Sequence, residues 1–121
     1  MIGYATIGSN DLEKAKSFYD VVLTPLGGRR TFASDRMQGY SGSAGAMLAV
    51  CRPYDGAAAA PGNGNMLALS SPSKELVDET YALALANGAS DEGAPGARSD
   101  SFYGAYFRDL DGNKVCIFKT G

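Results

Sequence analysis

The chain has 121 residues, 45% hydrophobic and 20% charged, with 16 glycines and a net charge of −2. That is the make-up of one globular domain, able to bury a core without disulfides or a structural metal. Basic and acidic residues are mixed with no basic stripe, which argues against a nucleic-acid partner. The apolar runs fall far short of the roughly 20 residues of a membrane span, so no membrane role is expected. Met1-Ile2-Gly3-Tyr4 has no positive n-region or cleavable h-region, and Cys51 and Cys116 form no CxxC. The expected location is therefore cytoplasmic and reducing.

Residues 2–8 read as a strand. Asn10 is the expected N-cap of a helix, with Glu13 completing a capping box. Leu12, Ala15, Phe18, Tyr19, Val22 and Leu23 then fall on one helical face, with Glu13, Lys14, Lys16 and Asp20 left for water. Pro25 and Gly27-Gly28 stop the helix. Three extended segments follow, at about 29–34, 36–41 and 46–52, with turns at Asp35 and Gly42-Ser43. The segment from Pro53 to Gly64 is a loop by its Pro and Gly content, and Ala57 to Ala60 are too few between breakers to nucleate a helix. Residues 64–70 read as a strand. Ser71-Pro72 then supplies an N-cap and a first-turn proline, Val77, Tyr81, Ala84 and Leu85 an apolar stripe, and Asn87-Gly88 a C-cap. A polar loop over 91–99 precedes a hairpin made from Ser101–Arg108 and Asn113–Lys119.

The two halves of this series match. A shift of 62 positions sets Tyr4-Ala5-Thr6-Ile7 on Met66-Leu67-Ala68-Leu69, Ser9 on Ser71, Tyr19 on Tyr81 and Leu23 on Leu85. A duplicated unit fixes the architecture. The prediction is a single α+β domain over 1–121, built as module one (about 1–52), a linker loop (53–63) and module two (about 64–121).

Two modules of this order, closing on Phe107-Arg108-Asp109-Leu110-Asp111-Gly112-Asn113-Lys114-Val115, resemble the vicinal oxygen chelate superfamily of glyoxalases, bleomycin-resistance proteins and dioxygenases. The opening Ile7-Gly8-Ser9-Asn10-Asp11-Leu12-Glu13-Lys14-Ala15 with Phe18-Tyr19 is similar to the family's first strand and helix, and Gly62-Asn63-Gly64 to its entry into the second module. The resemblance covers essentially the whole chain. It implies tandem βαβββ modules forming a cupped mixed β-sheet, helices outside, a central cavity, and a homodimer.

Metal enzymes of the family place histidine and glutamate ligands on the first and last strands of each module. Those positions carry over to Tyr4, to the segment Met47–Cys51, to Met66 and to Cys116. There is no histidine in the chain, and Met47–Cys51 holds no carboxylate. A phenol, a thioether and a thiol are poor ligands for a hard or borderline divalent ion. No metal and no other cofactor is therefore expected.

Other chemistry is weakly signalled. Asp109-x-Asp111-x-Asn113 opens like a calcium loop, but its sixth position is Lys114 and its twelfth Thr120, so it reads as a turn. A nucleophilic Cys116 would need a nearby base or cation, and without histidine only Lys114 or an arginine could serve. Asp35, Asp55, Glu92, Asp100 and Tyr4 could serve as acids or bases, but no spacing among them demands it. Along 102–108, one face carries Phe102, Gly104, Tyr106 and Arg108 and the other Tyr103, Ala105 and Phe107. The sequence leaves open which lines the cup.

The expected function is metal-independent binding of a small apolar or aromatic molecule, against a cup floor of Tyr4, Thr6, Met66, Cys116 and Phe118 with Tyr54 nearby. One alternative is a metal-dependent lyase or isomerase of the glyoxalase I type, or a dioxygenase-like enzyme. That reading needs a divalent metal held by loop carboxylates. A second is a dimeric structural or regulatory module without a ligand.

Overall fold

The repeat becomes two copies of one folding unit. A computed structural model describes residues 1–43 and 45–121. Module one runs β1 (Tyr4–Gly8), α1 (Leu12–Val22), a short 3-10 turn (Thr24–Leu26), β2 (Arg29–Ala33), β3 (Met37–Ser41) and β4 (Met47–Cys51). Module two runs β5 (Leu67–Ser70), α2 (Lys74–Ala86), β6 (Ser90–Ser99), β7 (Phe102–Arg108) and β8 (Lys114–Thr120). Each module forms a four-stranded mixed sheet, in order β1-β4-β3-β2 and β5-β8-β7-β6. β1 pairs in parallel with β4, and β5 with β8; the other pairings are antiparallel. No helix among the described residues is long and apolar enough to cross a membrane.

The core lies where the helices meet the sheets. Leu12, Ala15, Phe18, Tyr19, Val22 and Leu23 are all buried on α1, as the 3.6-residue spacing predicts. Val77 and Ala84 are buried on α2, while Tyr81 and Leu85 are only partly so. Thr80 is also fully buried there, a polar residue inside the stripe whose hydroxyl has no partner. Phe18 of module one packs edge-on against Phe107 of module two, with ring centroids 6.0 Å apart, so one core joins the halves.

Three local expectations are corrected. Asp11, not Asn10, caps α1, its carboxylate accepting from the Lys14 N–H. Asn10 instead exchanges two hydrogen bonds with the backbone of Ala59, tying down the linker. Ser73, not Ser71, caps α2, accepting from the Leu76 N–H, while Ser71 is buried and bonds to Ser73. Residues 91–99 are not a loop. They belong to β6, a ten-residue edge strand whose register against β7 shifts three times around its Gly-Ala-Pro-Gly run.

The remaining boundaries lie close to expectation. The linker stays free of helix despite its alanines. Asp109-x-Asp111-x-Asn113 is a turn organised around the Asp109 carboxylate, which accepts from the N–H groups of Asp111 and Asn113.

Candidate functional site

Strand register decides which side chains share the face opposite the helices. In module one Thr6 lies beside Ala49, and Ala49 beside Gly39. In module two Ala68 lies beside Cys116, and Cys116 beside Tyr106. Leu48, Val50, Val115 and Ile117 join the core packed on the helices, whereas their equally buried neighbours Ala49 and Cys116 do not, so the alternate set faces away from that core. This settles the question left open for 102–108: Phe102, Gly104, Tyr106 and Arg108 share the face of Cys116 and Phe118, and Ala105 and Phe107 face the helices.

The residues expected on the floor are placed as follows. Tyr4 is 62% exposed and Met66 45% exposed, near the outer edges of the two sheets. Thr6 and Met66 share a cleft of about 510 Å³ with Asn65, Asn113 and Lys114. Cys116 and Phe118 are on β8, in the middle of the second sheet. Tyr54 stands apart on the linker, 91% exposed, with the Arg36 guanidinium 5.3 Å from its ring centroid. A more apolar crevice of about 500 Å³ runs along the other side of β5, between Leu67 and Leu69 and the Ala5, Leu26 and Leu48 side chains.

Sequence reasoning missed several members of this face. Phe102 stacks flat on Phe118, with centroids 5.3 Å apart and planes 8° from parallel. Tyr106 sits beside Cys116, with the Arg98 guanidinium and the Lys114 ammonium 5.4 and 5.7 Å from its ring centroid. Arg108 binds Glu92 at 2.7 Å. The aromatic alternation over 102–108 was the available signal for Phe102 and Tyr106. Arg98 carried none, because its strand reads as a loop.

Burial raises the Cys116 thiol, and the Tyr106 hydroxyl, Arg98 and Lys114 only partly offset it. Burial and then the Cys116 neighbour also raise the Tyr106 hydroxyl. Both groups are thus protonated at neutral pH, and Cys116, fully buried, is not set up as a thiolate nucleophile.

The donor set can be tested against a divalent ion. The partner of Thr6 on β4, equivalent to Cys116 on β8, is Ala49. The inherited positions therefore offer Tyr4, Ala49, Met66 and Cys116. Among the described residues no three His, Cys, Asp or Glu side chains gather into a metal-holding group. These residues do not fit a divalent metal centre.

Comparison with known proteins places this geometry. The family model described as Glyoxalase/Bleomycin resistance protein/Dioxygenase superfamily matches residues 1–117. A crystal structure of a glyoxalase/bleomycin resistance protein from Albidiferax ferrireducens T118 is 38% identical with a TM-score of 0.90, covering 98% of this chain and 97% of that one. A glyoxalase/bleomycin resistance protein/dioxygenase family enzyme from Burkholderia phytofirmans PsJN is 21% identical with a TM-score of 0.79, covering 98% of each chain. A lactoylglutathione lyase from Agrobacterium tumefaciens, 19% identical with a TM-score of 0.70 over 98% of this chain and 92% of that one, shares the fold. Among curated proteins, none matches this sequence. On the family match and the 38% identity, the chain belongs to the glyoxalase/bleomycin resistance protein/dioxygenase superfamily.

Proposed function

We propose that this protein binds a small, flat, largely apolar molecule on the open face of its sheets, without a divalent metal, as a cytoplasmic homodimer. The observation that carries the reading is the Phe102–Phe118 stack beside Tyr106 and Cys116, on a floor whose inherited metal positions hold no suitable donors. Stacked rings present an apolar platform to a planar ligand, and the protonated hydroxyl of half-buried Tyr106 offers a polar contact at its rim.

A second copy completes the site in this reading. β1 and β5 are both edge strands, and Ile2, Tyr4 and Met66 expose apolar surface there. Exposed strand edges of this kind invite pairing with another chain.

The test is a thermal-shift screen of untagged protein against planar aromatics and against zinc, nickel, manganese and iron. Binding only to the folded state raises the midpoint, by an amount that grows with ligand concentration. Stabilisation by planar aromatics and by no metal is the expected result. Stoichiometric metal retained through dialysis, with no response to aromatics, overturns the proposal and favours the glyoxalase I-type lyase.

A further inference from the structure

The open face of module two is cationic in a protein of net charge −2. Arg98 and Lys114 lie over the Tyr106 ring, and Arg108, two residues along the same strand face and opposite Lys114, pairs with the Glu92 carboxylate. Arg108 takes that carboxylate and also donates to the Gly112 carbonyl at 3.1 Å. The ion pairs among the described residues are Lys16–Glu13, Arg30–Asp20 and Arg108–Glu92, so Arg98 and Lys114 have none. Among the described residues the Arg98 side chain donates only to the Ala94 carbonyl, at 2.7 Å.

The chain makes room for this arrangement. A Cβ on Gly96 would lie 3.0 Å from Arg98 Nη1, and one on Gly93 would lie 3.0 Å from Tyr106 Cδ2 and 3.3 Å from Arg98 Nη2. These two glycines let the guanidinium lie down on the Tyr106 ring. Gly104 does the same for the neighbouring platform, since a Cβ there would lie 2.8 Å from Phe102 Cε1. In register, Gly104 faces Phe118 and Tyr106 faces Cys116, so the ring stack and the cation pair are one pleat apart, about 7 Å.

Two cations around one ring, neither with a carboxylate partner, leave positive charge on this face that an anionic ligand group would neutralise. A guanidinium fork and an ammonium together suit a carboxylate, and the adjacent stack suits a flat ring. We infer that the ligand is an aromatic acid, its ring against Phe102 and Phe118 and its carboxylate drawn to the unpaired charges of Arg98 and Lys114 around Tyr106. This rests on the reading of the face as an aromatic-binding site and adds the charge of what binds there.

The experiment is isothermal titration of the purified protein with naphthalene-2-carboxylate, naphthalene-2-carboxamide and acetate. The carboxylate is expected to bind about tenfold more tightly than the isosteric amide, and acetate far more weakly than either. Arg98→Gln and Lys114→Gln should each weaken the carboxylate about tenfold and leave the amide unchanged. Lys74→Gln is the control, because it removes the same charge from above Tyr103, a tyrosine outside this face (5.5 Å to its ring centroid). It should change neither affinity. Melting curves confirm that the variants remain folded. Equal affinity for carboxylate and amide, or carboxylate binding indifferent to both variants, overturns the anionic ligand while leaving an aromatic site. Failure of all three probes overturns both readings.

Discussion

Replacing Tyr19 by Phe removes one oxygen from the joint between the modules. Tyr19 lies on α1, 1% exposed, and its hydroxyl donates to Asp109 Oδ2 at 2.6 Å. Asp109 is 7% exposed at the end of β7, and it also accepts from the N–H groups of Asp111 and Asn113 and from Asn113 Nδ2, at 2.9, 2.9 and 3.0 Å. One carboxylate thus closes the β7–β8 turn and fastens it to the first helix. A hydrogen bond to a charged group contributes about 1.5–3 kcal/mol, and the phenyl ring of the variant keeps the packing, so the expected loss is about 2 kcal/mol. Asp109→Asn replaces one acceptor oxygen by a donor and should cost at least as much. Both variants break the same bond, so the double variant should fall short of the sum by roughly 1–2 kcal/mol. Urea unfolding with unchanged m-values measures this, and the midpoint of thermal unfolding should drop by about 8 °C for Tyr19→Phe. Additivity within about 0.5 kcal/mol would refute the joint. Burial, then Asp109, raises the Tyr19 hydroxyl well above its ordinary value. The folded state therefore keeps a proton that the unfolded chain gives up near pH 10. This stability is complete below about pH 10 and is lost progressively above it, so Tyr19→Phe should flatten the alkaline fall.

Gly28→Ala should cost about 2 kcal/mol, because its Cβ would lie 2.7 Å from Leu23 Cβ and 3.1 Å from the Leu23 carbonyl, which the helix end holds in place. Urea midpoints check it. Burial works to raise Asp20, but hydrogen bonds from Arg30 and Tyr40 outweigh it and hold the carboxyl below its ordinary value. Its stabilisation is present above about pH 4 and fades as pH falls through the lowered value, so Arg30→Gln should differ from the parent at pH 6 and converge with it in acid. Met66→Lys sets a charge at the exposed start of β5 and should shift a dimer toward monomer, read by sedimentation equilibrium.

The fold is legible because period and repeat agree. Leu12 to Leu23 keep helical spacing between clear stop signals, and every residue of that stripe is buried. The caps slip by one or two residues because neighbouring polar side chains compete for the same role. Asn10 and Asp11 stand side by side, and the linker takes the first, leaving the helix to the second. Strand β6 is hidden because a Gly-Ala-Pro-Gly run carries no alternation. Its pairing comes from β7, a tertiary partner that local composition does not report. The face of the second sheet opposite the helices was half legible. Cys116 and Phe118 follow from alternation on β8, whereas Arg98 reaches Tyr106 only because an irregular strand and two glycines bring it there.

The internal symmetry makes the divergence of the two faces measurable. Stepping from the matched pairs Thr6–Ala49 and Ala68–Cys116, Gly39 in module one corresponds to Tyr106 in module two, and Met47 to Lys114. On the helix side the equivalents stay apolar, with Leu48 matching Val115 and Val50 matching Ile117. Packing against the helices constrains that side, so both copies keep it. The open face is not so constrained. Module one carries small or apolar residues where module two carries a phenol, a thiol and an ammonium. The small residues of module one leave no opening at Gly39, because Met47 fills it: a Cβ there would lie 2.5 Å from the Met47 sulfur and 3.2 Å from Phe32 Cβ. On the proposed function, the asymmetry therefore puts the polar and charged contacts to a ligand on module two, while Gly39, Ala49 and Met47 pack among themselves on module one.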